Sequence, residues 1–169
     1  MDLFEAIYDR RSIRRYDERP VPEETLEAVL RAAMAAPSAG NARPWAFVAI
    51  TNRDLLGRIP EIHPYAKMAA SAAAAVLVCG EPGREKHPGN WPQDCAAATQ
   101  NLLLAAHGSG LGAVWCGVWP NAERMENFRR LFELPGGIEP HALVCIGYPA
   151  EQKTRPDRFE PDRIHRDRW

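Results

Sequence analysis

The sequence lacks most of the patterns that reveal a function at sight. Its 169 residues contain no apolar run long enough to cross a bilayer, and the most lipid-like stretch, 68–79, is short and alanine-rich. The opening Met-Asp-Leu-Phe-Glu carries acids where a secretory leader would carry cations, so a soluble, cytoplasmic protein is expected. Cysteine is scarce: Cys79, Cys95, Cys116 and Cys145 are far apart, form no Cys-x-x-Cys and sit in apolar runs, the pattern of buried reduced thiols. The five histidines, His63, His87, His107, His141 and His165, show no ligand spacing, which argues against a transition-metal site. No Gly-x-Ser-x-Gly elbow and no phosphate loop ending in Gly-Lys-Ser or Gly-Lys-Thr is present, so neither an acyl-transfer nucleophile nor a nucleotide hydrolase is signalled. Gly108-Ser109-Gly110-Leu111-Gly112 resembles a dinucleotide fingerprint only on the surface, because it follows a helix and precedes a strand, the reverse of the required order. A net charge of -1 gives no global field for nucleic acid or an anionic membrane. If the chain is an enzyme, its hard chemistry belongs to a bound cofactor.

What is present is an ordinary globular composition, 46% hydrophobic and 25% charged, with one domain's worth of chain. Against that background Arg10-Arg11-Ser12-Ile13-Arg14-Arg15-Tyr16 stands out, with four guanidinium groups at the exit of the first helix. Four cations so close need a countercharge, and a phosphate suits arginine forks. The alternative is that they complement the helix end and pair with Asp2, Glu5 and Asp9.

The spacing of Leu3, Phe4, Ile7 and Tyr8 predicts an amphipathic helix over 2–10, and Pro22, Glu23, Glu24 with Leu26, Val29, Leu30 and Ala33 predicts a second that stops before Pro37. Pro37 to Trp45 has no periodicity; small side chains at Ser38, Ala39 and Gly40 would let a ligand approach the backbone, or the stretch is a plain helix-to-strand connection. Strands are predicted over 45–51, 74–79, 113–118 and 141–148, and helices over 52–59, 63–71, 93–107 and from Asn121 to about Glu133. Residues 81–92 read as a surface loop, and the small-residue helix 93–107 reads as buried on several sides, against its own core or another copy of the chain. From Glu151 onward eleven of nineteen residues are charged, and only Phe159, Ile164 and Trp169 are large and apolar. Such a segment is a frayed terminus or an arm laid on a partner.

Taken together, 10–16, 37–45, Asp94-Cys95-Ala96-Ala97-Ala98-Thr99-Gln100-Asn101 with the following Leu102–Ala106, and Leu111–Val118 resemble, in order and spacing, the nitroreductase family of flavin enzymes. That resemblance implies an α+β fold with a central mixed, mainly antiparallel sheet flanked by helices. It implies a core over 1–150 and an arm over 151–169 exchanged in a homodimer with shared active sites. It implies bound FMN with NADH or NADPH as co-substrate, a hydride passing through flavin N5 to a nitroaromatic, quinone or similar acceptor by a ping-pong mechanism. Position by position, Arg10, Arg11, Ser12 and Arg14 match the segment holding the phosphate, ribityl chain and pyrimidine edge, and Pro37, Ser38, Ala39 and Asn41 match the loop from the other subunit. Lys67 resembles a lysine near flavin N1 and O2; Trp115, Cys116 and Gly117 match the strand whose backbone N–H reaches N5; Arg163, with His165, resembles the arm's phosphate contact. The same fold would also suit a flavin enzyme of another reaction, reductive dehalogenation or flavin fragmentation. A non-catalytic module binding FMN or another phosphate ligand is the alternative outside enzymes.

Overall fold

The computed structural model describes residues 2–169; Met1, the first residue of the predicted core, lies outside them. Four strands form one sheet: β1 (Trp45–Ile50), β2 (Ala74–Gly80), β3 (Gly112–Gly117) and β4 (Glu139–Gly147), in the order β1-β2-β4-β3. All three pairings are antiparallel. The mixed character expected from the sequence is confined to an isolated parallel bridge between Ser12 and Ala113.

The described residues form five α-helices, α1 (Leu3–Asp9), α2 (Glu23–Met34), α3 (Arg53–Ile62), α4 (Trp91–Gly108) and α5 (Ala122–Leu131), of which α2 to α5 cover the sheet and α1 rests on α4. The strand β2 is buried at every position because both of its faces are covered. Ala74, Val76 and Val78 pack with α2 and α4, while Leu77 and Cys79 pack on the other side with Leu56, Ile59 and Phe128 of α3 and α5. That is why its sequence is a continuous apolar run rather than an alternation. On α4, Cys95, Ala98, Leu102 and Ala106 are fully buried, so small residues let the helix lie close to the sheet. All four cysteines are free and buried. No helix among the described residues is long and apolar enough to cross a membrane.

Several boundaries differ from expectation for identifiable reasons. The predicted helix 63–71 is a turn followed by a 3₁₀ helix, Lys67–Ser71, since Pro64 disfavours helical geometry at His63. The helix expected to end at Ile59 continues past Pro60 to Ile62, where the His63 N–H closes it on the Ile59 carbonyl. The loop ends sooner than expected, because Pro92 falls in the first turn of α4, where a missing N–H costs nothing, and the Glu85 carboxylate accepts the Trp91 N–H. Asn52 and Asn121 cap α3 and α5 by accepting the N–H groups of Leu55 and Arg124 at 3.0 and 2.8 Å.

Two apolar surfaces remain bare. The predicted apolar stripe of α1 exists, but it faces solvent, with Leu3 66% and Phe4 64% exposed. Phe159, Ile164 and Trp169 in the extended segment after Glu151 are exposed as well.

Near α4, β4 carries His141, 5% exposed, among the rings of Trp91, Trp115 and Trp119 with centroids 5.7–6.1 Å away. Its Nδ1 has no partner, and burial pulls its pKa down to about 4. A histidine that is neutral when folded but takes a proton near pH 6.5 when unfolded favours unfolding as pH falls. We therefore expect this residue to remove on the order of 3 kcal/mol of stability between pH 6.5 and 4. Urea unfolding across that range should show the loss, and the His141→Leu variant should show a correspondingly smaller one, with His63 and His107 supplying the remainder.

Candidate functional site

The strand β3 is an edge strand, and the arginine segment lies along its free side. The Ile13 N–H donates to the Ala113 carbonyl at 3.0 Å. Close approach requires glycine on the sheet: a Cβ at Gly112 would sit 2.6 Å from Ile13 Cγ2, and one at Gly147 would sit 2.9 Å from the Tyr16 ring. The Tyr16 hydroxyl, its pKa raised by burial, donates to the Ile13 carbonyl at 2.7 Å. Ile13 and Tyr16 thus act as pegs that fix the backbone carrying the four arginines.

Those arginines do not find their countercharge in α1. Asp2 and Glu5 cap one another across the helix start, and Asp9 faces Arg155 at 3.6 Å. Among the described residues, no carboxylate pairs within 4 Å with the guanidinium group of Arg10, Arg11, Arg14 or Arg15. Arg10 borders a cavity of about 820 Å³ shared with Tyr8, Arg11, Arg155, Arg158 and Phe159. Burial, then Arg11 and Arg158, pull its pKa below the ordinary arginine value. Arg11 faces the body: its Nε donates to the Thr154 carbonyl at 3.0 Å and its Nη1 to the Arg10 carbonyl, while Nη2 is buried with no partner. An anion is the partner this cluster lacks.

The open edge of β3 continues the site. Since the Ala113 carbonyl faces the arginine segment, the two-residue repeat turns the peptides of Trp115 and Gly117 to the same side, and that of Cys116 toward β4. Of the three strand residues expected at N5, Trp115 and Gly117 therefore face outward and Cys116 does not. The Gly117 carbonyl already accepts from His63 Nε2 at 3.0 Å and Arg124 Nη1 at 2.6 Å, which pins the strand end and leaves the N–H available. Burial and then Arg124 lower the His63 pKa, so that ring donates as neutral imidazole. A hydrogen bond shared with Cys145 draws the Cys116 thiol pKa down and raises that of Cys145; Arg14 and Arg124 add to the drop at Cys116. Lys67 is exposed and follows the Tyr65 turn, whose carbonyl lies 3.9 Å from Cys116 Sγ.

The loop 37–45 is elsewhere. Gly40, Asn41 and Arg43 all have positive φ, an arrangement held by three side chains. Asp94 accepts the Ala39 N–H at 3.0 Å, Ser38 Oγ accepts the Arg43 N–H at 2.9 Å, and Lys86 donates to the Gly40 carbonyl at 2.7 Å. Asp94 stands in the first turn of α4, whereas Arg11 shares a cavity with His107 in the last. Thirteen residues of helix at about 1.5 Å each separate the two stations by about 20 Å. Within one chain, Pro37, Ser38, Ala39 and Asn41 therefore do not join Arg10, Ser12 and Arg14.

Nor does the structure bring Arg163 to the arginine segment: it pairs with Glu160 at 2.9 Å, and His165 stacks near Trp169. Arg155 and Arg158 stand beside Arg10 instead. Sequence reasoning missed them, because a tail with no periodicity gives no sign of which cation turns inward. It also missed Asp94 as the anchor of the loop, although an acid among the small residues of α4 was a usable signal. Replacing Asp94 by alanine should free the loop and cost about 1–3 kcal/mol, with proteolysis near 39–43 accelerated and the helical circular-dichroism signal kept.

Comparison with known proteins identifies the family and the fold. A sequence model of the Nitroreductase family matches residues 7–87 and 63–148. A protein of Methanothermobacter thermautotrophicus, provisionally named NADH dehydrogenase/NAD(P)H nitroreductase, is 52% identical over all of this chain and 88% of its own length. A crystal structure of a protein from Parabacteroides distasonis with the same provisional name superposes with a TM-score of 0.94 at 40% identity, covering 98% of each chain. A provisionally named nitroreductase from Desulfovibrio desulfuricans, solved in complex with FMN, superposes with a TM-score of 0.82 at 29% identity, covering 98% of this chain and 96% of its own. Matched from one end of its core to the other, this chain belongs to the nitroreductase family.

Proposed function

We propose that the chain is an FMN-dependent oxidoreductase that carries a hydride from NADH or NADPH to a small acceptor such as a nitroaromatic or quinone. The observation that carries this reading is the arginine segment: cations, Arg10 and Arg11 part-buried, whose guanidinium groups pair with no carboxylate, beside a strand edge with outward peptide N–H groups. The donor set fits the cofactor. A phosphate with roughly two negative charges suits Arg10 and one of the arm's arginines, each charge-assisted bond contributing on the order of 1.5–3 kcal/mol. Ser12 would meet the sugar chain, Arg14 and Lys67 would face the electron-poor pyrimidine side, and the Gly117 N–H would serve N5. When bound, the flavin supplies the redox centre. The protein's residues bind it, orient it and place cations where negative charge gathers. No acid or base from the chain is needed for hydride transfer.

The site is composite in this reading. Because about 20 Å of α4 keeps the 37–41 loop from the arginine segment of its own chain, the loop serves the site of a second copy. The bare stripe of α1 and the exposed Phe159, Ile164 and Trp169 supply the apolar surface for such a homodimer.

Three outcomes are expected. The purified protein is yellow, and anaerobic stopped-flow mixing with NADH or NADPH bleaches its flavin absorbance; a coloured protein that neither nucleotide bleaches belongs to a different flavin reaction. Arg10→Ala lowers flavin occupancy by about tenfold or more while the size-exclusion volume stays that of a dimer. Truncation after Ala150 loses both flavin and dimer, as read by absorbance and by light scattering.

A further inference from the structure

The arm does not leave the core freely. From Tyr148 to Thr154 it runs antiparallel to the stretch from Asp17 back to Arg11 in constant register. The first pairs are backbone to backbone: the Asp17 N–H donates to the Tyr148 carbonyl at 3.0 Å and the Ala150 N–H to the Arg15 carbonyl at 2.9 Å. From Glu151 onward, side chains take over. Glu151 Oε1 accepts the N–H groups of Arg14 at 2.6 Å and Arg15 at 3.2 Å. Lys153 Nζ donates to the Ser12 carbonyl at 2.6 Å, Arg11 Nε donates to the Thr154 carbonyl at 3.0 Å, and Arg155 closes the row on Asp9 at 3.6 Å.

The arginine segment therefore has two edges. On one, the Ile13 N–H is taken by β3; on the other, the Arg14 N–H points away from the sheet and only Glu151 meets it. Lys153, 3.5 Å from the same carboxylate, holds it in place. The Glu151 side chain is part-buried, and the hold is geometric: one carboxylate oxygen collects two successive N–H groups and fixes the peptide planes on which Arg14 and Arg15 are mounted.

We propose that Glu151 is a positioning residue of the anion seat, setting the direction in which the Arg14 guanidinium leaves the chain and making the arm's root and the cofactor site one mechanical unit. The inference rests on the flavin reading above. Its test follows flavin released on serial dilution of the holoprotein, read as FMN fluorescence, in the wild type, Glu151→Ala, Glu151→Gln, Arg14→Ala and the Glu151→Ala/Arg14→Ala pair. Glu151→Ala should raise the FMN Kd about tenfold, and Glu151→Gln, whose amide oxygen still accepts, about threefold. The pair should be no weaker than Arg14→Ala within about twofold, because Glu151 acts through Arg14. A role in folding alone would multiply the two losses. If Glu151→Ala does not fold, Glu151→Gln alone and in the Arg14→Ala background carries the same comparison. Multiplied losses, or variants that hold FMN as the wild type does, would overturn this inference alone; a wild type that holds no FMN would overturn the flavin reading with it.

Discussion

The constraint on which the rest of this structure depends is an unneutralised charge. Arginines Arg10, Arg11 and Arg14 are held within a few residues of one another, beside a sheet edge, with the acids of α1 committed elsewhere. Holding like charges together costs energy at every separation, and the part-burial of Arg10 and Arg11 increases that cost. The fold accepts it through specific devices. Gly112 and Gly147 leave room for Ile13 and Tyr16 to press onto the sheet, and the arm's root grips the outer edge of the segment. An arrangement so expensive in the free chain is complementary to an anion, and every other feature of the site is laid out relative to it.

The central helix α4 sets the second relation. Its last turn borders Arg11, its first turn holds Asp94 and through it the strained 37–45 loop. A helix is a rigid spacer, so the two clusters cannot close on one ligand within a chain. The requirement for a second copy in the proposed function is thus a statement about helix length, and the uncovered apolar residues of α1 and the arm are consistent with it.

Much of this was legible in the sequence. The apolar periodicity of α2 and α5, the uninterrupted run of β2 and the capping Asn52 and Asn121 gave elements close to those observed, because local signals there agree with packing. The arginine segment and the 37–45 loop stood out by composition alone. What could not be read was which partner each polar group finds. Asp94 stood among small residues with no sign of a partner until the fold set it under Ala39, and Glu151 looked like the first residue of a charged tail until the register placed it under Arg14. The same holds for Arg155 and Arg158, which the chain direction after Pro149, not any motif, turns toward Arg10. Pairings between distant segments have no periodicity to announce them.

The central claim is that the arginine segment exists to hold the phosphoryl end of FMN. Riboflavin carries the same ring and sugar chain without the phosphate, so the most direct measurement compares the two by equilibrium titration of the flavin-free protein. Two charge-assisted bonds contribute about 3 kcal/mol or more, so FMN should bind roughly a hundredfold tighter than riboflavin. Equal affinities would contradict the account.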